Sequence, residues 1–397
     1  MKRLMILGGS ENQLPLIQCA KQQAYFLIVC DHASDNVGRV YADRFYCVST
    51  LDREAVLSIA RAERIDGIVT NSEPAMSTSA YVGNMLGLVS NPHESVITLS
   101  RKDLFRSFLR KNGFACPRSL ACSNYEGLSG MVNDLEFPLM VKPVDSSGSR
   151  GVTYISSSQE LRKAFCKALG FSTLKRVIVE EYIERAHDYL IGGDIFVVDG
   201  RVSFWGLMNC IRDSSVNEFV PVGKSFPAFI TTEQSAIIHE TIHDLVSKLH
   251  IRFGAFNVEL MFGPHNRLYV IEMNPRNGGN RIPDILKEIT GVDLIKATIS
   301  ASLNAQDIDL TYEKRAQYMS TYILHSSRNG ILRNVILDDR IMYNVVETTL
   351  YKQIGDAVSK FDNAEHRIGI MFLRFRSLEE MKEKTANICD LIKVIVQ

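Results

Sequence analysis

Glu259, Glu272, Asn274 and Arg276 sit in or just after two apolar runs, 257–262 and 268–273, that flank Gly263-Pro264-His265-Asn266. Gly-Pro-His-Asn is a strong turn signal, so the stretch reads as an antiparallel hairpin. Side chains alternate along strands. With Phe262 paired to Arg267, Glu259 lies opposite Val270 and Asn257 opposite Glu272. The two carboxylates then share a face as diagonal neighbours, roughly 7–8 Å apart at Cα. Carboxylates that converge on an apolar hairpin repel unless a cation lies between them. Oxygen ligands from Glu259, Glu272 and Asn274 suit Mg²⁺, which keeps waters and takes its other oxygens from a nucleotide's phosphates. Arg276, just after Asn-Pro, offers a fork of donors to a phosphoryl oxygen. Any one of these acids alone reads as a solvated surface group; the set reads as a metal and phosphate site.

A second group precedes the hairpin. Lys142 ends the apolar strand 139–142, and a half-buried lysine needs an anionic partner. Pro143 closes that strand, and Asp145-Ser146-Ser147-Gly148-Ser149-Arg150-Gly151 leads into the strand 152–155. A Gly/Ser loop between two strands is not a Walker A loop, which opens a helix. It is a flap whose backbone N–H groups can close over phosphates. The strand 176–179 runs into Glu180-Glu181-Tyr182-Ile183, which on its own residues reads as a charged strand end and alternatively as a segment offering a backbone carbonyl and N–H to an adenine edge. Glu73 and the 10–12 loop are candidate substrate contacts, because open parallel sheets hold ligands at strand C-termini. His239, His243 and His250 lie at helical spacing with no acidic or cysteine partners near, so they read as packed or surface histidines.

The elements that must position these groups follow from periodicity. Strands at 2–7, 25–30, 45–48 and 67–70 alternate with helical stretches, which implies a parallel sheet covered on both faces. Gly-x-Gly-x-x-Gly is absent after the first strand, so dinucleotide binding there is unsupported. From Arg101-Lys102 an amphipathic helix runs to about Lys111, stopped by Asn112-Gly113 and Pro117. Residues 209–226 read as loop-rich, 232–250 as a helix, and 284–290 and 293–303 as helices. A third region carries strands near 319–324, 342–350 and 368–375 and a closing helix over 378–394. The expected fold class is α/β and α+β, divided into an N-terminal parallel-sheet domain (1–100), a central domain (101–305) and a small α+β C-terminal region (306–397).

The 397 residues carry 45 Lys plus Arg against 45 Asp plus Glu, so no net field draws the chain to nucleic acid or anionic membrane. No apolar run approaches the roughly 20 residues that span a bilayer. The opening run before Gly8-Gly9 is too short for a signal peptide. Eight scattered cysteines without Cys-x-x-Cys read as reduced thiols of a cytoplasmic protein.

Lys102, Lys142-Pro143, the 146–151 flap, Glu180-Glu181-Tyr182-Ile183, Glu259 and Glu272-x-Asn274-Pro275-Arg276 stand in one order that resembles the ATP-grasp superfamily. The similarity is to its carboxylate–amine ligases, such as biotin carboxylase and carbamoyl-phosphate synthetase domains, over about residues 1–305. The resemblance implies that Lys102 and Lys142 hold ATP phosphates under the flap formed by Ser146, Ser147, Gly148 and Ser149. It places Glu180, Glu181 and Ile183 beside the adenine and Asp188 at the ribose. Glu259, Glu272 and Asn274 would hold Mg²⁺, or Mn²⁺ in its place. Arg276, with Lys142, would serve the transferred phosphoryl group. Arg281 and its loop join Glu73 as candidate substrate contacts. The implied activity is ATP- and Mg²⁺-dependent coupling of a small carboxylic acid to an amine through an acyl phosphate, releasing ADP and phosphate. The alternatives are a purine-pathway-type or carboxyphosphate-forming ligase, and a nucleotide-binding regulatory protein without turnover. The expected partners are small-molecule carboxylate and amine substrates, with no nucleic acid or membrane, and a homodimer if the chain self-associates.

Overall fold

The N-terminal strands Arg3–Leu7, Phe26–Asp31, Arg44–Cys47 and Gly67–Val69 form a four-stranded parallel sheet with Arg3–Leu7 and Phe26–Asp31 at its centre. The run Leu4-Met5-Ile6-Leu7 is fully buried because helices cover both faces, which is why it shows no alternation. Met5 and Leu7 pack against the Arg53–Glu63 helix, and Leu4 and Ile6 against the Leu14–Gln22 and Leu294–Ser302 helices. Each such side chain contributes about 1.5–3 kcal/mol on leaving water. The Leu294–Ser302 helix comes from beyond the hairpin, so it fixes the first sheet against the chemistry-bearing half of the chain.

The computed structural model describes residues 1–213, 215–305 and 307–397. Ser214, inside the stretch read as loop-rich, and Gln306, where the expected C-terminal region starts, lie outside the described residues. Among the described residues no helix is long and apolar enough to cross a membrane.

A small antiparallel sheet of Ser119–Cys122, Val177–Glu181, Leu139–Pro143 and Thr153–Ile155 carries the Gly/Ser flap between its last two strands. The larger, eight-stranded antiparallel sheet runs Arg267–Asn274, Gly254–Gly263, Leu190–Val198, Arg201–Asp213, Asn217–Phe226, Tyr318–Leu324, Gly369–Phe375, Val345–Leu350. The Thr232–Lys248 helix covers one face through Ile238, Ile242 and Leu245. The Ile282–Thr290 helix covers the other through Ile285, Leu286 and Ile289.

Three expectations about elements change. The stretch read as loop-rich, 209–226, holds the end of the strand Arg201–Asp213 and the whole of the strand Asn217–Phe226. Their alternation is masked because Asn209, Arg212 and Lys224 point polar groups inward, and because the ladder is bulged around Ile211 and Arg212. The closing helix breaks into Leu378–Ala386 and Ile388–Leu391, and the β-branched run Ile392–Val396 pairs as a strand with Gly330–Leu337. β-branched residues fit a pleated surface better than a helix. The strand expected from Met342 begins at Val345, after the short Asp339–Met342 helix.

Candidate active site

The hairpin forms, with a different register. Pro264–Asn266 make the turn, with His265 and Asn266 in the left-handed region. Gly263 rather than Phe262 faces Arg267, which sets Leu260 opposite Val270. A bulge then leaves Ile271 unpaired, so Glu259 lies directly opposite Glu272 and Asn257 opposite Asn274. A bulge re-aims the side chains beyond it. Without it Glu272 would face away from Glu259, and nothing in the apolar stretch Val270-Ile271 signals it.

Two carboxylates set directly across a ladder destabilise it unless they are neutralised. Each has a cation. Lys102 Nζ lies 2.9 Å from Glu272 Oε1, and Arg212 Nη2 lies 2.8 Å from Glu259 Oε1. Burial works against the charge on Glu272, but Lys102, with Lys142 and Arg276, holds the carboxyl below its usual range. Asn274 donates its amide N–H to Glu272 Oε2 at 3.1 Å, leaving its Oδ1 as the atom able to coordinate a cation. Lys102 also donates to the Ser146 carbonyl at 2.7 Å, joining the base of the flap to the hairpin.

Glu180, expected beside the adenine, lines the cavity with its carboxylate held by two cations. It is 2% exposed and lies between Arg106 (2.8 Å) and Lys142 (2.6 Å). Burial alone would push its carboxyl up; Arg106 and Lys142 together hold it down at about 2. Arg106, also buried, donates to the carbonyls of Val270 and Ile271 at 3.4 and 3.0 Å. One guanidinium therefore ties the first helix of the central region, the small sheet and the hairpin bulge together. The Glu181 side chain turns to Arg118 and the Glu136 N–H. The N–H groups of Glu181 and Tyr182 are already bonded to the carbonyls of Arg118 and Pro138, so a donor to a base edge must come from Ile183 onward.

The flap lies down on the large sheet. Gly148 and Ser149 both have positive φ (64° and 60°), and Ser149 Oγ donates to the Phe219 carbonyl at 2.9 Å. Arg150 pairs with Glu365 at 2.9 Å, and the Ala364 N–H donates to the Gly148 carbonyl. Arg276 reaches Glu73 of the N-terminal region at 2.8 Å. Behind them Asp194 is fully buried and accepts from Asn257 Nδ2 (2.8 Å) and the Gly278 N–H (2.9 Å). Burial pushes its carboxyl up to about 6. Arg281 is held by Glu347 and by Thr349 Oγ1.

A cavity of about 1580 Å³ lies among these elements. It brings together Lys102, Lys142, Ser146, Ser147, Gly148, Ser149, Glu180, Glu181, Ile183, Asp188, Glu259, Glu272, Asn274, Arg276, Arg281 and Glu73. Reasoning from sequence missed Arg106, Arg212, Lys224 and Asp194. Arg106 sits on a helix whose other basic residues suggest a solvated face, and Arg212 and Lys224 fall in the stretch mistaken for loop. Asp194 carried one usable signal, an acid inside a buried Gly-Gly-Asp-Ile-Phe strand. His239, read as packed or surface, stacks on Trp205 with ring centroids 4.1 Å apart.

Comparison with known proteins agrees with this architecture. Residues 101–307 match the family model described as the carbamoyl-phosphate synthase L chain, ATP binding domain. The chain belongs to that family, within the ATP-grasp superfamily. Carbamoyl phosphate synthase large chains are similar at 25% identity over 279 residues in Campylobacter jejuni and 24% over 349 residues in Thermotoga petrophila. The alignments cover 66% and 83% of this chain but 24% and 30% of those relatives, so the chain spans under a third of their length. Among solved structures, an L-amino acid ligase from Bacillus licheniformis superposes with a TM-score of 0.83 at 20% identity, covering 100% of this chain and 99% of that one. A phosphoribosylglycinamide synthetase from Anaerococcus prevotii superposes at 0.73 with 21% identity, covering 100% of both chains.

Proposed function

We propose that the protein is an ATP-dependent, ADP-forming ligase that activates a small carboxylic acid as its acyl phosphate and joins it to an amine. The observation that carries this reading is the direct opposition of Glu259 and Glu272 across the hairpin, in the same cavity as Lys102, Lys142, Arg276 and the flap. The donor set is all hard oxygen, and each carboxylate already holds a borrowed cation, so the residues fit Mg²⁺. When bound through Glu259, Glu272 and Asn274, Mg²⁺ would neutralise phosphate charge, and Mn²⁺ could substitute.

A carboxylate is a poor electrophile because oxide is a hopeless leaving group near neutral pH. Phosphorylation by the γ-phosphoryl group of ATP converts that oxygen into phosphate, which leaves when the amine attacks. The protein's part is positioning and charge. Lys102 and Lys142 serve the nucleotide phosphates. Glu73 holds the Arg276 guanidinium in position for an oxygen of the transferred group. The flap, seated on Phe219, excludes water that would hydrolyse the acyl phosphate. Ile183 serves the adenine, Asp188 the ribose, and Arg281 a substrate. Lys102 pairs with Glu272, so a phosphate and a cation binding together would exchange the partners of these two side chains instead of adding buried charge.

The similarity to an L-amino acid ligase fold supports an amino acid or a related metabolite as a substrate class. Incubating the protein with ATP, Mg²⁺ and pools of amino acids and other small acids and amines, with mass-spectrometric detection of condensed products, tests the reading. A dehydrating condensation matched by ADP supports it. ATP bound without turnover of any pool would favour a regulatory role.

A further inference from the structure

Asp213, His325 and Cys389 are far apart in sequence and play no part in the mechanism above. The fold brings them to one point. Among the described residues this cluster gathers three different ligand types, with Asp213 Oδ2, His325 Nε2 and Cys389 Sγ all within 4.8 Å of one another. His325 Nε2 lies 3.1 Å from Asp213 Oδ2, and Cys389 Sγ lies 3.3 Å from the same oxygen.

We infer that Asp213, His325 and Cys389 form a transition-metal site, best suited to Zn²⁺, distinct from the nucleotide cavity. Tetrahedral zinc with Zn–N and Zn–O near 2.1 Å and Zn–S near 2.3 Å puts N and O about 3.4 Å apart and S and O about 3.6 Å apart. The observed 3.1 and 3.3 Å lie within a few tenths of an ångström of that. A carboxylate, an imidazole and a thiolate suit zinc, whereas Mg²⁺ would want oxygen alone.

The surroundings orient each ligand. His325 Nδ1 lies 2.7 Å from the Ile323 carbonyl, an acceptor only, so Nδ1 carries the proton. Nε2 is then the ring nitrogen that faces Asp213 Oδ2. A backbone carbonyl that fixes the tautomer in this way is the usual support of a metal-bound histidine. Asp213 Oδ1 accepts from the Ser215 N–H and hydroxyl at 2.9 and 2.6 Å, which leaves Oδ2 for the site. The imidazole is buried against Phe361 and Tyr322, while Cys389 is exposed and gives an ion its entry. Binding displaces the thiol proton to solvent and leaves a fourth position for water. The three ligands come from the end of Arg201–Asp213, the residue after Tyr318–Leu324, and the Ile388–Leu391 helix. The ion would pin the C-terminal segment to the large sheet.

The test uses the full-length protein, stripped with chelator and titrated with Co²⁺ and then Zn²⁺. Expected are about one equivalent of Co²⁺ with a thiolate-to-cobalt charge-transfer band, bleached by Zn²⁺, and a melting temperature raised by Zn²⁺. Cys389→Ser should lose the band, and His325→Gln should weaken Zn²⁺ binding by at least roughly 10–100-fold. Glu272→Gln should keep the band, which separates this site from the nucleotide's metal. No thiolate band in the unaltered protein, or full Zn²⁺ binding by Cys389→Ser, overturns the inference. The unaltered protein's spectrum decides even if a variant folds poorly.

Discussion

Glu180→Gln should destabilise the protein without altering side-chain shape. Glu180 and Arg106 are buried and Lys142 is partly buried, with side-chain exposures of 3%, 2% and 13%. Removing the single carboxylate leaves two neighbouring cations with no counter-charge, and breaking a buried ion pair from one side costs about 3–5 kcal/mol. The carboxyl's descent from 4.5 to about 2 gives a second route to the figure: at about 1.4 kcal/mol per pH unit it amounts to about 3 kcal/mol. Far-UV circular dichroism in urea measures the effect. With a urea dependence of about 3 kcal/mol per M, the midpoint at neutral pH should fall by about 1 M or more. The direction with pH is fixed as well. This carboxylate's stabilisation is full above about 4.5 and is lost as the pH falls toward about 2, so variant and unaltered protein should converge in acid. Arg106→Met combined with Glu180→Gln should cost less than the two changes added together, because the orphaned charge leaves with its partner. A neutral-pH midpoint within about 0.2 M of the unaltered protein would refute the buried triad.

Three further outcomes are expected. Lys142→Ala should raise KM for ATP and lower kcat, since its charge matters more as phosphoryl charge redistributes, and Lys142→Arg should rescue poorly because guanidinium is wider and planar; unchanged ATP kinetics would make Lys142 a structural partner of Glu180 alone. Glu272→Gln should cut Mg²⁺-dependent turnover by at least about 100-fold with an unchanged circular dichroism spectrum, one carboxylate being worth several kcal/mol to metal-assisted transfer; normal turnover would remove Glu272 from the metal site. Asp194 is raised from 3.8 to about 6, so the unfolded chain ionises first, and this group's stabilisation, full below about 3.8, is lost as pH rises through about 6. Asp194→Asn, whose amide oxygen can still accept from Gly278 and Asn257, should gain about 3 kcal/mol on the unaltered protein between those pH values. Parallel pH profiles from chemical denaturation would contradict it.

Much of this was legible in the chain, for identifiable reasons. The N-terminal sheet showed itself through short apolar runs between helices, and the hairpin through Gly-Pro-His-Asn between apolar strands. The constellation of Lys142, flap and Glu272-x-Asn274-Pro275-Arg276 survived a wrong register because one error offset another: a turn residue shifted the pairing, and the Ile271 bulge restored the shared face. Bulges leave no mark when the extra residue is as apolar as its neighbours. Arg212 and Lys224 were missed because strands that line a polar cavity lose the alternation by which strands are recognised. The two ion pairs of Glu180 with Arg106 and Lys142 were not legible, because sequence order does not show which cations a carboxylate neutralises. Asp213, His325 and Cys389 have no sequence spacing to read; only the eight-stranded sheet and the broken C-terminal helix bring them together.

In the proposed reaction the γ-phosphoryl group passes to a carboxylate oxygen. Once a condensing acid and amine are in hand, the acid is supplied with a heavy oxygen isotope in its carboxyl group, and the products are weighed by mass spectrometry. Transfer to the carboxylate puts one labelled oxygen in inorganic phosphate and none in nucleotide, with ADP equal to product. Label appearing in AMP, with pyrophosphate released, would contradict it.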